Sequence, residues 1–360
     1  MRARIEDVAA AAAVSIKTVS RVLNREPNVR DDTRQRVLDA VQKLSYKPNS
    51  SARSLAGHRS YVVALVYDNP SRNYVMEIQG GMLEACHSNH YNLVLGPLRH
   101  GGQRTRDDIK GLFEHFGPDG VVLIPPLTDD PVVLAHLQSR GVPFACVSPR
   151  RSEGRIGVRM DERGAVHEMM AHLIGLGHRR IGHIKGHRAH GACNWRHSAY
   201  REALEQAGLA YDPRLVVPGE FMFESGVRGA HQLLDLDPPP TAIFAANDDM
   251  AAGVIHAAAK RGLSVPGDLS VCGFDDTPIA RHICPTLTTV RQPTAEMGRL
   301  ATEQLLHCLQ DPRSARMVEL RHSLVVREST GAVPVEAAAS AQIGATGGGP
   351  TSRRREPRIA

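Results

Sequence analysis

The chain has 360 residues, 42% of them hydrophobic, and a formal net charge of +6. That length supports two or three domains with sizeable cores, and no stretch approaches the ~20 apolar residues of a membrane-spanning helix, which excludes that class. The charge excess sits at one end: residues 1–60 hold twelve Lys/Arg against six Asp/Glu, while the remaining 300 balance at 32 against 32, as a polyanion-binding head on a neutral body would.

Ile5, Val8, Ala9 and Ala12 recur at helical spacing, with Glu6 and Asp7 at the positive end of the helix dipole. A tight turn follows at Ala12, Ala13 and Val14. A second helix is expected over 16–24, capped by Ser15, with the apolar stripe Val19, Val22 and Leu23. Its other face carries Lys17, Thr18, Ser20 and Arg21. A short helix with one apolar stripe and a cationic face suits the major groove of DNA, and two such helices joined by a turn form a helix-turn-helix. A third helix over 31–44 has the stripe Val37, Leu38, Val41 and Leu44 and ends at Tyr46-Lys47-Pro48. The run N-S-S-A-R-S-L-A-G over 49–57 is too short for a stable isolated helix and by composition reads as a linker.

From Tyr61 the pattern changes. Apolar, β-rich runs at 61–67, 92–95, 120–124, 144–147, 156–160, 181–184, 215–217, 242–245, 270–272 and 287–290 alternate with amphipathic helical stretches. Near-continuous apolar strands alternating with helices predict parallel, doubly wound sheets, here two, divided near Asp161. Residues 331–360, rich in Ala, Gly, Ser and Pro and carrying Arg353, Arg354, Arg355 and Arg358, read as a disordered, solvated tail.

In open α/β sheets, ligands sit beyond the carboxyl ends of the strands. Asp68-Asn69, Pro125-Pro126, Asp161, Phe221, Asn247-Asp248, Asp275-Asp276 and Gln292 end the successive runs. Paired oxygens for vicinal hydroxyls and an aromatic face for CH groups suit a polyhydroxylated ligand. Asn247 and Asp275-Asp276 serve equally well as helix caps. His178, His183, His187, His190, Cys193 and His197 crowd one segment, and His183-x-x-x-His187 and His190-x-x-Cys193 have ligand-like spacing. His183 nevertheless falls inside a predicted strand, so no metal site and no cofactor are assigned. The six cysteines are scattered without CxxC pairs, reading as reduced thiols, and Glu6 and Asp7 interrupt any resemblance to a signal peptide. A cytoplasmic protein is expected. No G-x-G-x-x-G or P-loop follows the first strand and no G-x-S-x-G elbow occurs, so no enzyme is proposed.

The run I-E-D-V-A…V-S-x-x-T-V-S-R-V-L-N, followed by T-R-Q-R-V-L-D-A-V-Q-K-L-S-Y-K-P-N-S-S-A-R-S-L, resembles the N-terminus of lactose- and purine-repressor family transcriptional regulators. Two positions depart from it: Ala13 where the family has Gly in the turn, and Arg30 where it has a Ser that caps the third helix, a cap that Asp31 or Asp32 would take over. The resemblance implies an all-α helix-turn-helix headpiece and an α/β body similar to periplasmic sugar-binding proteins, made of two doubly wound parallel-sheet subdomains. The expected divisions are 1–48 for the DNA-binding domain and 49–60 for a hinge helix. The N-terminal effector subdomain takes 61–160 and 291–320, the C-terminal one 161–290 and 321–330, and the tail 331–360.

By the same resemblance, Ile16, Lys17 and Arg21 match base-reading positions. Ser15, Thr18, Arg30, Asn49 and Arg53 are candidates for phosphate and sugar contacts, and Ala52, Arg53 and Leu55 match the minor-groove hinge with Leu55 as the wedge. In the body, R-H-S-A-Y places Arg196 on the effector-binding Arg and P-G-E-F places Phe221 on the stacking aromatic. A-A-N-D-D-M-A-A-G places Asn247 on a polar contact, C-G-F-D-D-T places Asp275 on the acidic one, T-V-R-Q-P places Gln292 at the mouth, N-Y-V-M-E matches Tyr74, and R-M-D-E-R-G matches Asp161. Val75 stands where purine-binding members have a second aromatic, which disfavours a sandwiched purine and favours a sugar or sugar derivative. The implied partners are pseudo-palindromic double-stranded DNA, a small-molecule effector and a second copy of the chain.

Overall fold

A computed structural model describes residues 3–23, 28–46, 59–98, 103–314 and 316–333. The chain forms two units, residues 1–61 and 62–360.

In the first unit, α1 (Ile5–Ala12), α2 (Ile16–Leu23) and α3 (Asp31–Lys43) close around Val8, Ala9, Ala12, Val19, Val22, Val37 and Ala40. Helix α1 opens on a bond from the Arg4 amide to the Asp7 carboxylate at 2.7 Å. It ends at Ala13 in the left-handed region (φ 52), where the Ala13 and Val14 amides return to the Ala10 and Ala9 carbonyls at 3.2 and 3.0 Å. Ala thus holds a conformation that glycine adopts without penalty, at a cost of roughly 1–2 kcal/mol. Ser15 caps α2, its Oγ accepting from the Thr18 amide at 3.1 Å. Two expectations for α3 fail. Leu38 is 43% exposed, because the buried stripe runs through Val37 and Ala40. Neither Asp31 nor Asp32 caps the helix: Arg30 occupies the cap position without a side-chain bond, and both aspartates lie in the first turn, where they act through the helix dipole.

The second unit runs β1 (Val62–Tyr67), α4 (Arg72–Ser88), β2 (Asn92–Pro97), α5 (Gln103–Phe116), β3 (Gly120–Leu123), α6 (Pro131–Ser139), β4 (Phe144–Val147), β5 (Gly157–Met160) and α7 (Glu162–Gly175). It continues through β6 (Ile181–Ile184), α8 (Gly191–Gln206), β7 (Val216–Val217), α9 (Phe223–Leu234), β8 (Ala242–Ala245), α10 (Asp248–Lys260), β9 (Ser270–Cys272) and α11 (Pro278–His282). It closes with β10 (Thr289–Arg291), α12 (Thr294–Gln310), β11 (Met317–Leu320) and β12 (Ser323–Val325).

Strands β11-β5-β4-β3-β1-β2 form a six-stranded sheet and β7-β6-β8-β9 a four-stranded one, all paired in parallel. The central strands β3, β6 and β8 are buried at every residue, as sheets covered by helices on both faces require. After β10 the chain crosses to the first sheet, where α12 packs on α4 and β11 pairs with β5; it then returns, and β12 pairs antiparallel with β10. The α4–α12 contact is set by two glycines. A Cβ at Gly81 would lie 1.7 Å from the Ala295 carbonyl oxygen, and one at Gly298 would lie 2.1 Å from that of Ile78. Among the described residues no helix is long and apolar enough to cross a membrane.

Candidate functional site

The loops at the carboxyl ends of both sheets converge on a cleft of about 440 Å³. Its centre is Arg196, on the second turn of α8 and 3% exposed. Its Nε donates to Glu162 at 2.9 Å, its Nη1 to the Ala246 carbonyl, and its guanidinium lies 3.6 Å over the Phe274 ring. Nη2 stands 4.0 Å from Asp275 Oδ1. Such a cation is held by compensation on every side, without which its burial would be prohibitive.

Asp275 follows β9 with φ 115, a left-handed backbone fixed by its amide bond to the Val290 carbonyl at 2.8 Å. Its Oδ1 accepts from Gln292 Nε2 at 2.6 Å. Burial pushes its carboxyl up to about 7, with Arg196 and the Gln292 bond opposing the shift and Glu162 adding to it. Tyr74, on the first turn of α4, is buried against the same groups; burial first, then the charges of Asp275 and Glu162, push its phenol up. Phe221 also sits in the left-handed region (φ 60). A Cβ at Gly186 would fall 1.9 Å from its ring, so only glycine admits the ring there.

Five of the expected effector residues (Tyr74, Arg196, Phe221, Asp275 and Gln292) line this one cleft. Asn247 is buried behind it. Its Oδ1 caps α10 through the Met250 amide at 3.0 Å, and its Nδ2 donates to the Phe221 carbonyl at 3.1 Å, so it positions the aromatic residue. Asp161 is not in this cleft. It is exposed and caps α7, accepting from the Gly164 amide at 2.9 Å; one residue further on, Glu162 turns inward to meet Arg196. Asp276 points elsewhere, taken by Arg291 and Arg327 at 2.7 and 2.5 Å, and Thr277 rather than either aspartate is at the cap position of α11.

Glu162, Ser71, Ser148, Ala192 and Trp195 line the cleft without being singled out in the sequence, and His190, distinguished there only by its ligand-like spacing to Cys193, lines it too. His190 meets Phe221 edge-on at 5.1 Å, and burial, then His187 and the cations Arg196 and Arg150, push its imidazole down to about 3, leaving it neutral. The other histidines of the segment share no common centre: His187 lies edge-on to His190 at 5.8 Å and His197 stacks on His183 at 6.1 Å. His178 bonds Thr241, Ser270 and the Gly331 carbonyl, while His183 bonds the Phe244 carbonyl and stacks on Tyr200 and Phe244. Among the described residues no group of three or more His, Cys, Asp or Glu is arranged to hold a metal ion.

In the first unit, Ile16 (47% exposed), Lys17 and Arg21 face solvent along α2, with Ser15 exposed and Thr18 half-buried at its start. Arg30 is exposed before α3. Asn49, Ala52, Arg53 and Leu55 lie outside the described residues.

A helix-turn-helix with a cationic exposed face, and a cleft of buried charge and aromatic rings, define a ligand-responsive DNA-binding regulator. The sequence profile of bacterial regulatory proteins of the lacI family matches residues 4–49, and that of the periplasmic binding protein-like domain matches 170–330. The ribose operon repressor of Haemophilus influenzae is 33% identical over 331 residues, covering 91% of this chain and 98% of its own. Among solved structures, a complex of the transcriptional regulator CelR with cellobiose is 34% identical with a TM-score of 0.69, covering 91% of this chain and 100% of its own. The lac repressor dimer bound to operator and the anti-inducer ONPF is 27% identical with a TM-score of 0.74, covering 92% and 100%. The chain belongs to the lacI family of bacterial transcriptional regulators.

Proposed function

We propose that the chain is a homodimeric, cytoplasmic repressor whose affinity for a pseudo-palindromic operator is set by a sugar or sugar derivative in the cleft. The observation that carries the ligand class is the Glu162–Arg196–Asp275–Gln292 chain beside the Phe221 ring. It offers fixed donors and acceptors with an apolar face. Its one cation is already paired with Glu162 at 2.9 Å and approached by Asp275 at 4.0 Å, so an anionic ligand gains little there, whereas a hydroxylated one meets paired oxygens and an aromatic ring. The cellobiose complex of the similar CelR regulator supports the same class.

In this reading the headpiece is 1–48, the hinge 49–60, and the two effector subdomains 61–160 with 291–320 and 161–290 with 321–330. Ile16, Lys17 and Arg21 read base edges in the major groove. Ser15, Thr18, Arg30, Asn49 and Arg53 position the protein on the backbone, and Ala52 and Leu55 enter the minor groove. Tyr74, Glu162, Arg196, Phe221, Asp275 and Gln292 hold the effector, and Asn247 holds Phe221. Ligand acts through its differential affinity for two arrangements of the dimer, a coupling of typically ~1–3 kcal/mol. A solute-binding protein without regulatory role would have no use for the lacI-type head at 4–49. On operator the protein is nucleoid-associated.

The test is fluorescence anisotropy on duplexes selected from a random pool, with and without a panel of sugars. A tight palindromic site whose occupancy changes with one sugar is expected. Weak, salt-sensitive binding to every duplex would overturn the operator reading, and a tight site indifferent to all sugars would overturn the ligand class.

A further inference from the structure

Beside the cleft lies a second, solvent-open chamber of about 510 Å³, open solvent included. Three residues, Ser148, Glu162 and Trp195, wall both spaces, so the chambers are neighbours across a shared partition. We propose that the effector is a disaccharide, with one ring against Phe221 in the inner chamber and the second ring past Trp195 in the outer one. This rests on the sugar reading above and specifies it.

The outer wall shows why its occupant is a sugar ring. Arg150, Arg159 and Arg163 line it, a dense set of planar donors. Two of these cations are matched: Arg159 pairs with Glu319 at 2.7 Å and Arg163 pairs with Glu202. Arg150 Nη2 donates to the Ala189 carbonyl at 3.1 Å, and Asp161 contributes a carboxylate to the same wall. The chamber therefore offers many hydrogen-bonding groups with little excess charge, which suits hydroxyls better than a phosphate. Trp195 adds an indole face for the CH side of a ring.

The partition itself carries a second sign. Ser148 holds a left-handed backbone (φ 47), a conformation that costs a non-glycine residue about 1–3 kcal/mol and concentrates at functional positions. Its Oγ is buried without a hydrogen-bond partner among the described residues. A hydroxyl next to the linkage between two rings would meet that orphaned oxygen.

Trp195 is the only tryptophan in the chain, so its emission reports on this partition. The full-length protein is titrated with glucose, galactose, cellobiose, lactose, maltose and glucose 6-phosphate, followed by Trp195 fluorescence and by calorimetry. One disaccharide is expected to bind at least about tenfold more tightly than either of its component hexoses and to shift the emission. Arg163→Ala, and separately the milder Ser148→Ala, shrink that ratio. A hexose that binds as tightly as every disaccharide overturns the second chamber and leaves the sugar reading intact. Glucose 6-phosphate binding more tightly than the disaccharides makes the outer chamber a phosphate seat and also overturns the proposal. Binding of no sugar of either size removes the sugar reading and the inference together.

Discussion

Glu162 accepts from Arg196 Nε at 2.9 Å with both side chains at most 6% exposed. The pair joins the start of α7 to the second turn of α8, and Asp275 and Gln292 extend it toward the chain crossings. Because a buried ion pair leaves an uncompensated charge when either partner is removed, at a typical cost of about 3–5 kcal/mol, the ligand site is also a structural joint.

Arg196→Ala is therefore expected to abolish effector binding and to lower the thermal midpoint of the body, while operator affinity without ligand stays within about threefold, less than 1 kcal/mol. Calorimetric titration with sugar and anisotropy with operator on the same preparation separate the two effects. Undiminished sugar binding would remove Arg196 from the site.

Asp275 gives a pH signature. Its carboxyl lies near 7 in the folded protein against 3.8 ordinarily, so the folded state holds a proton that the unfolded chain releases. This contribution to stability is complete below about pH 4 and is lost as pH rises through 7. Asp275→Asn should flatten that part of the melting-temperature profile. In the parent, effector affinity should rise between pH 6 and 8 as the carboxylate forms and accepts ligand hydroxyls, and the Asn variant should lack the rise.

Arg21→Ala should cost about 1–3 kcal/mol on the selected operator and relax preference at one base pair per half-site. Lys17 and Ile16, also exposed along α2, provide the comparison in a mutant-by-base-pair matrix of affinities. Uniform weakening across all sequences would reassign Arg21 to a backbone contact.

Gly81→Ala should destabilise the body by about 1–3 kcal/mol in urea unfolding, since its Cβ would collide with α12 backbone. Gly111→Ala, in α5 with open space around it, should be neutral or stabilising by up to about 1 kcal/mol. Equal effects at the two positions would mean that α4 and α12 do not approach this closely.

Much of this protein is determined by local pattern. Period-3.6 stripes place α1 and α2, apolar runs place every strand of the two parallel sheets except the edge strand β11 (Met317–Leu320), and the topological rule that ligands sit at carboxyl ends of strands points to Phe221, Asp275 and Gln292. What the pattern cannot resolve is direction within a turn. Asp161 and Glu162 are adjacent acids at the mouth of one helix, and about 100° of rotation separates the exposed cap from the buried partner of Arg196. Leu38 counts as apolar in any periodicity, yet the packing of α1 and α2 leaves it in solvent. Asn247 has the chemistry of a ligand contact, but the approach of the Phe221 loop makes it a brace. Ser148 and Trp195 carry no motif, and the spacing that draws attention to His190 is that of a metal ligand; all three become walls of a site only because the two sheets bring segments far apart in sequence to one cleft, and that juxtaposition is a property of the packed tertiary structure.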